Sequence, residues 1–501
     1  MHNHPKAEDY FVIASYAGRV AIGLGATLAV PLLVAIVEGE WSVLVDLVIC
    51  AAACLFSGAA LAMLMPDDAR PGWLHGMVAT AVSWLFVMLL AAIPYWLSGH
   101  YGSYIDCLFD AMSGFTTTGL TLVTDLDHLS AALNTWRHVV TFIGGQGVVV
   151  LALSFLIGGS AGNYELYVGE AKDERLFPSV LHTAKAIWKI SAAYFAVGVA
   201  TLWATGIAIG LPVKAAFYHG AWIYLAAWST GGFAPMSQNF LYYHSAAFDA
   251  VGVAFFVAGS LNFALHHAVL TGNRREMLKN VETVSFFITF ICLFSVITAG
   301  LTRAGVYPGF VALMRKGFFH AISAHTTTGF MTVSARQFSL EWGDLALGGM
   351  VVAMMIGGSA SSTAGGIKGL RVGAIWLAMR QEIRRLLLPR GAVFTKKFHL
   401  IEDRFLGDEQ IKGFALVTAL YVGMWALATI AGMVAGYPAV DSAFEAASVS
   451  GNVGLSIGIT SPSMPDFLKM AYILIMWAGR LEFMAVLALG GFVAAAVRRR
   501  R

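Results

Sequence analysis

Phe115-Thr116-Thr117-Thr118-Gly119-Leu120, Trp228-Ser229-Thr230-Gly231-Gly232-Phe233, His325-Thr326-Thr327-Thr328-Gly329-Phe330 and Gly451-Asn452-Val453-Gly454-Leu455-Ser456 are four versions of one pattern. Each follows a short apolar run and lies between two long ones. A small polar residue stands one or two places ahead of a glycine in every version, and the first and third share Thr-Thr-Thr-Gly outright. The repetition predicts four pieces of one pore lining, gathered around an axis by fourfold internal repetition.

The chemistry behind this reading is desolvation. A cation that sheds its water inside a membrane needs a replacement shell of oxygens at the right radius and number. Backbone carbonyls supply that shell when an extended strand points them inward, and glycine reaches the backbone angles such a strand needs. Threonine hydroxyls add ligands without charge. Irregular backbone at membrane depth is tolerated only where it lines water or is buried in protein. A half-length helix ahead of each strand aims its negative carbonyl end at the ion. The expected ligand set is Thr117, Thr118, Gly119 and Leu120; Ser229, Thr230, Gly231 and Gly232; Thr327, Thr328, Gly329 and Phe330; and Asn452, Val453, Gly454 and Leu455.

The register upstream supports the repeat. Phe109, Phe319 and Phe444 each stand ten residues before their glycine, and Ser113, Ser323 and Ser448 six before it. Counted from Gly231, the second copy has Ala221 and Leu225 there instead.

Of 501 residues, 58% are hydrophobic and only 12% charged, against roughly one-quarter charged in soluble domains. That is an integral membrane protein. Its net charge of +3 does not point to nucleic acid, because the basic residues gather at helix ends. Cys50, Cys54, Cys107 and Cys292 sit in apolar runs and read as buried small hydrophobes rather than as a disulfide or metal set. The first apolar run is long for a signal sequence and is expected to stay as a spanning helix.

A spanning helix needs about 20 apolar residues. The chain divides into an N-terminal helix pair (1–70), repeat one (71–170), repeat two (171–275), repeat three (276–400) and repeat four (401–501). Within them, spans are expected near Phe11–Val37 and Trp41–Leu64, then Gly72–Leu97 and Thr135–Leu156, His182–Ile209 and Ser245–Leu270, Val281–Leu301 and Leu345–Trp376, and Ile411–Ala435 and Phe467–Val497. The fold class expected is therefore all-α and membrane-integral: four pseudo-symmetric helix–pore-helix–filter–helix units around one central pore, plus two extra N-terminal helices. The bland role of that pair, packing on or shielding the pore unit, is the expected one.

Lysine and arginine cluster between repeats one and two (Lys172, Arg175, Lys185, Lys189), two and three (Arg274, Arg275, Lys279), three and four (Arg380, Arg384, Arg385, Arg390, Lys396, Lys397), and at Arg498–Arg501. With ten spans these fall on one side, which the positive-inside bias makes cytoplasmic, and both termini with it. The filters then enter from the opposite face. Arg315 and Lys316, ahead of the third pore helix, break the trend.

Two features are expected to gate. Gly357-Gly358-Ser359-Ala360-Ser361-Ser362-Thr363-Ala364-Gly365-Gly366-Ile367-Lys368 places four glycines and four hydroxyl residues in twelve positions of an inner helix. No continuous helix favours that composition. Small-residue helix packing is the alternative, but the run is long and polar, so a loop crossing the pore below the filter is expected. A protease-like serine is set aside, since no histidine or aspartate motif accompanies it. Arg480 lies in the apolar run Ala471–Val497, where a charge costs at least roughly 2.5 kcal/mol and so should face a wet cavity. Glu482 is a poor partner for it, because i and i+2 do not share a helical face. A cation-repelling barrier is the reading preferred over a structural ion pair. Glu445, in the fourth pore helix, is a further intramembrane acid, either functional or an anchor for its helix.

These residues resemble the Trk/Ktr/HKT superfamily of potassium transporters, in its TrkH branch. The likeness runs from about residue 10 to the end. It rests on the four filter motifs, the Gly-Gly-Ser-Ala-x-Ser-Thr-Ala-Gly-Gly-Ile-Lys loop, the Trp136-Arg137…Gly144-Gly145-x-Gly147 segment and Arg480. The resemblance implies potassium preference from Gly119, since serine at that glycine accompanies sodium permeation in the family. It implies that the gating loop is Gly357–Lys368 and that Arg480 is the pore's basic residue. It also implies a homodimer with one pore per subunit in the cytoplasmic (inner) membrane, on a cytosolic ring of nucleotide-binding, TrkA-like regulatory subunits. No Gly-x-Gly-x-x-Gly follows a strand pattern here, so nucleotide control would come from such a partner. Leu120 and Gln146 depart from the family's usual pattern.

Channel-like potassium uptake, with K+ as transported ion and no covalent cofactor, is the expected function. A proton- or sodium-coupled symporter would need a titratable carboxylate in the path, and only Glu445 offers one. A membrane-embedded enzyme would need a constellation beyond His266-His267, and a scaffold leaves the repeated glycines without a reason.

Overall fold

The structure, a computed structural model, describes residues 5–66, 72–157, 180–387, 397–400 and 402–498. Lys172, Arg175, Arg390, Lys396 and Arg499–Arg501 lie outside the described residues.

The first apolar run forms Ala7–Thr27 continued by Ala29–Glu38. The helix breaks at Leu28 because Pro31 has no N–H to give the carbonyl of Thr27. Trp41–Ala62 returns alongside. The two helices cross through a glycine pair: a Cβ on Gly18 would lie 2.6 Å from the Gly58 carbonyl oxygen, and one on Gly58 2.8 Å from that of Gly18. Small residues let helix backbones approach this closely in membranes. Acidic side chains at the turn fasten the pair to the first two pore units. Glu40 accepts from the Ala131 and Ala132 amides at 2.8 and 2.9 Å, satisfying free N–H groups at a helix start. Glu38 accepts from the Tyr218 hydroxyl at 2.6 Å and pairs with Lys214 at 2.6 Å.

Four units then share one plan. The outer helices are Trp73–Ala91 (extended by Ile93–Leu97), Val180–Ala208, Val281–Ala304 and Asp408–Val434. The pore helices are Tyr104–Phe115, Val213–Trp228, Phe310–His325 and Ala439–Ser450. Among the described residues, six helices are long and apolar enough to be single spans, and these are the N-terminal pair and the four outer helices. The protein is an all-α integral membrane protein, with one small addition: strands Lys397–Leu400 and Glu402–Phe405 pair antiparallel. Phe398 and Leu400 pack with Leu370, Leu406 and Phe414. His399 bridges Asp403 at 2.7 Å and Glu276 at 3.1 Å, and hydrogen bonding to those carboxylates raises its imidazole above the usual histidine range.

The inner helices correct the sequence expectation. Among the described residues, Ala131–Ile157 is the one inner helix without a break. The span expected at Ser245–Leu270 is two helices, Ala246–Gly259 and Phe263–Leu270, bent by 103°. The span expected at Phe467–Val497 is Asp466–Arg480 and Met484–Arg498, bent by 110°. The third is Gly343–Ile356 and Gly369–Leu386, parted by the glycine–serine run, where the sequence reading placed a loop.

Each break finds its hydrogen bonds elsewhere. At the second unit, Asn262 Oδ1 caps the new helix by accepting from the Ala264 amide at 2.8 Å. The Ser260 carbonyl accepts from Ser359 N at 3.0 Å, and Phe263 N donates to the Ser361 carbonyl at 3.3 Å. The broken helix and the loop thus satisfy each other's backbone groups, as buried amides and carbonyls must be satisfied. At the fourth unit, Glu482 and Phe483 take left-handed φ values of 50° and 66°. There the Glu482 carboxylate accepts from Arg371, with Lys368 Nζ at 3.9 Å.

Arg315 and Lys316, which broke the charge asymmetry, have local partners. Arg315 pairs with Asp249 at 2.7 Å and Lys316 donates to the Thr332 carbonyl at 2.6 Å.

Candidate ion pore

Each pore helix is stopped by its own hydroxyl or glycine. Thr116 Oγ1 donates to the Met112 carbonyl at 2.7 Å, Thr326 Oγ1 to Ile322 at 2.7 Å and Ser229 Oγ to Leu225 at 2.7 Å. The next residue turns left-handed in all four copies: φ is 54° at Thr117, 49° at Thr230, 55° at Thr327 and 54° at Asn452. Two residues later the backbone turns left-handed again, at Gly119 (83°), Gly232 (64°), Gly329 (83°) and Gly454 (99°).

This fixes the repeat register and moves it by one in the second copy. Gly232, not Gly231, is the counterpart of Gly119. The backbone bonds agree: Thr118 N, Gly231 N, Thr328 N and Val453 N donate to the carbonyls of Ser113, Ala226, Ser323 and Ser448. Counted from Gly232, the position ten before the glycine holds Trp222, a buried aromatic like Phe109, Phe319 and Phe444. The apparent irregularity of the second copy came from counting from the wrong member of a Gly-Gly pair. Ser229 then matches Thr116 at the helix end, and the aligned strands are Thr117–Leu120, Thr230–Phe233, Thr327–Phe330 and Asn452–Leu455.

The four strands close a ring in chain order. A Cβ on Gly119 would strike the Gly231 carbonyl oxygen, one on Gly232 the Thr328 oxygen, one on Gly329 the Val453 oxygen, and one on Gly454 the Thr118 oxygen. The fourth strand thus meets the first. The Cβ position of Gly329 is 2.8 Å from the Gly454 Cα, and that of Gly454 is 3.3 Å from the Gly119 Cα. No side chain fits where these strands pass. Asn452 Nδ2 adds a tie across the seam, to Thr118 Oγ1 at 3.1 Å.

The register makes a prediction. Gly232→Ala would drive a methyl into backbone, whereas Gly231→Ala, at a position where the other copies hold Thr118, Thr328 and Val453, would meet the Thr141 side chain. Reversal potentials of reconstituted protein should show ion discrimination lost in Gly232→Ala and largely kept in Gly231→Ala.

The glycine–serine run crosses beneath the ring. Its ends meet, with Lys368 N donating to the Ile356 carbonyl at 2.8 Å and the Gly366 Cβ position 2.9 Å from the Gly357 Cα. Gly357, Ser361, Gly366 and Lys368 all have positive φ. Gly358 lies against the Ser260 carbonyl, and Ser362 Oγ donates to the Ser359 carbonyl at 2.6 Å. At the tip, the Thr363 hydroxyl lies 2.9 Å from the Trp228 and Gly259 carbonyls and 3.2 Å from Thr230 Oγ1. Gly365 N donates to Thr327 Oγ1 at 2.7 Å, and Gly365 abuts the Gly451 carbonyl. Lys368 Nζ bonds the Ala364 carbonyl.

Arg480, 5% exposed, completes this floor. Its Nη1 donates to the Thr363 carbonyl at 2.7 Å and its Nη2 to the Gly144 carbonyl at 3.3 Å. It therefore ties the loop to the unbroken inner helix of the first unit. Glu482 makes no ion pair with it, but not for the helical-face reason: the helix ends at Arg480, and Glu482 stands in the break with a φ of 50°, turned to Arg371 and Lys368. Glu445 takes the anchor role: its carboxylate accepts from the Ile457 amide at 2.9 Å, the Thr460 amide at 3.0 Å and the Ser456 hydroxyl at 2.9 Å. Three glycines bring the inner helices against their own pore-helix ends, Gly144 at Phe115, Gly259 at Trp228 and Gly479 at Ser450. Sequence reasoning missed the last two, although both stand immediately before a helix break or Arg480.

Four short helices ending at a ring of backbone, set among the outer and inner helices of the described residues with a loop packed against the ring, are the frame of a membrane protein that moves cations. The chain belongs to the TrkH family of cation transport proteins, whose family model matches residues 48–301 and 281–490. It is 32% identical over 415 residues to an uncharacterized cation transporter of Methanocaldococcus jannaschii, covering 83% of this chain and 82% of that one. It is 28% identical over 426 residues to the Trk system potassium uptake protein TrkH of Salmonella typhimurium, covering 83% and 84%. In fold it is similar to the potassium transporter TrkH from Vibrio parahaemolyticus, with a TM-score of 0.81, 24% identity, and 96% and 98% of the two chains covered.

Proposed function

We propose that this protein takes up potassium through a gated, K+-selective pore. The observation that carries the reading is the closed ring of glycine-to-carbonyl contacts between the four strands. A dehydrated cation on that axis is offered main-chain oxygens from four sides, with the negative ends of four helices pointing at it. In this reading the strands at Thr117–Leu120, Thr230–Phe233, Thr327–Phe330 and Asn452–Leu455 are the filter, with Ser229 at the second helix end. Gly357–Lys368 and Arg480 are the gate. The protein is a transporter, not an enzyme, and K+ is its cargo rather than a resident cofactor.

The N-terminal pair (1–70) braces four repeats at 71–170, 171–275, 276–400 and 401–501. The relatives' names support the cargo, and the exposed basic residues Arg274, Arg275, Lys279, Arg380, Arg384 and Arg385 support a cytoplasmic loop side. The protein sits in the cytoplasmic membrane with both termini inside, works as a homodimer with one pore per chain, and is controlled by a cytosolic nucleotide-binding subunit. Conduction down the electrochemical gradient is favoured over coupled symport, because both oxygens of Glu445 are occupied by hydrogen bonds.

Rescue of a potassium-uptake-deficient cell at low external potassium, with and without a cytosolic regulatory subunit, tests this. Growth on limiting potassium is expected. No rescue under either condition, with the protein in the membrane, contradicts the reading. A reversal potential that follows the proton or sodium gradient would overturn the channel mechanism.

A further inference from the structure

Each filter strand is held at its inner end by the bond from Thr118, Gly231, Thr328 or Val453 back to its pore helix. A second attachment holds the outer end. Nine positions ahead of Gly119, Gly329 and Gly454 stand Asp110, His320 and Glu445, all fully buried. Each accepts one backbone N–H from twelve residues further on. Leu122 N donates to Asp110 Oδ1 at 2.7 Å, Thr332 N to His320 Nε2 at 3.0 Å and Ile457 N to Glu445 Oε2 at 2.9 Å.

Two carboxylates and an imidazole make the same bond, so what they share is an acceptor, not a charge. The histidine is particularly informative. Its Nδ1 faces the Lys316 carbonyl at 2.7 Å and must donate there, which leaves Nε2 with the lone pair that receives Thr332 N. In the second copy the equivalent positions are Ile223 and Pro235. Proline has no N–H to give, and the side chain opposite is a hydrocarbon. Acceptor coincides with donor in three copies, and its absence with proline in the fourth.

We propose that Asp110, His320 and Glu445 are positioning residues for ion selection. Each pins the strand that leaves its filter glycine, so that a segment of a few residues is fixed at both ends to one pore helix and its carbonyls cannot drift. Pro235 replaces the pin in the second copy by stiffening the chain itself. The other bonds to these carboxylates, from Thr121 and Tyr101 to Asp110 and from Ser456 and Thr460 to Glu445, satisfy the remaining lone pairs. The inference rests on the reading of the four strands as a K+ filter.

The test uses the full-length protein in liposomes, with the K+/Na+ permeability ratio read from reversal potentials and thermal unfolding measured in parallel. Glu445→Leu and His320→Leu leave a buried N–H unpaired and should lower the ratio by about ten-fold. His320→Gln supplies one donor and one acceptor, as the imidazole does toward the Lys316 carbonyl and the Thr332 amide, and should retain most of it. Should the leucine variants fail to fold, Pro235→Ala creates an amide with no acceptor opposite, and should lower the ratio without touching a carboxylate. Folded leucine or Pro235→Ala variants with native selectivity overturn the proposal, as does His320→Gln behaving like His320→Leu. A native protein that does not discriminate K+ from Na+ overturns the filter reading and this proposal with it. Native discrimination with unaltered variants overturns this proposal alone.

Discussion

Replacing Gly119 with serine is expected to let sodium through the pore while leaving the protein folded. Gly119 has a φ of 83° and its Cβ position collides with the Gly231 carbonyl oxygen, with the Gly232 Cα at 3.1 Å. A side chain there must rotate the Gly119 backbone or displace the Gly231 carbonyl, and either change alters the oxygen cage on one of its four sides. A non-glycine residue held in such a conformation stores about 1–3 kcal/mol, equivalent to roughly 5- to 150-fold in relative affinity. A potassium site depends on the number and spacing of its oxygens, so the loss falls on discrimination first. The check is the shift of reversal potential between potassium and sodium gradients in liposomes. Because the ring is equivalent all round, Gly329→Ser should act in the same direction. Unchanged selectivity in both would remove these strands from the ion's path.

Replacing Arg480 with alanine is expected to raise basal flux. The guanidinium is the bridge between the loop, at the Thr363 carbonyl, and the first unit, at the Gly144 carbonyl. Hydrogen bonds to a charged group are worth about 1.5–3 kcal/mol each, so losing two of them should raise the open fraction by about ten-fold or more. Removing the charge also removes an electrostatic barrier to a cation on the axis. Lysine keeps the charge but not the two-pronged reach, so Arg480→Lys should lie between native and alanine. Tracer uptake into liposomes, alongside thermal unfolding to exclude collapse, measures this. Flux equal to the native protein's would place the barrier elsewhere.

Much of this was legible in the sequence, because it depends on backbone conformation that only certain residues permit. Glycine at 119, 329 and 454 marks places where strands touch, and the Thr-Thr ahead of the first and third marks a helix fastened by its own hydroxyl. The Gly-Gly pair at 231–232 misled by one residue. Either glycine fits the motif, and only the neighbouring strand shows which of them must lack a side chain. Spans were legible as apolar runs, but the breaks at 260–262 and 481–483 were not. Hydropathy carries no information about a carbonyl satisfied by a loop a hundred residues away, as Ser260 is by Ser359. The i, i+2 argument refused Glu482 to Arg480 on the premise of a continuous helix that in fact ends at Arg480, and it could not supply Glu482 with its partners, Arg371 and Lys368, which reach it from another unit. The two-stranded hairpin at 397–405 left too short an alternating pattern to be seen.

Anomalous diffraction from crystals of the protein soaked in rubidium tests the central claim most directly, since rubidium substitutes for potassium and scatters strongly. Peaks are expected on the axis enclosed by Thr117–Leu120, Thr230–Phe233, Thr327–Phe330 and Asn452–Leu455, above the Thr363 tip of the loop. Rubidium found only at carboxylates away from that axis, with none among the four strands, would contradict the account.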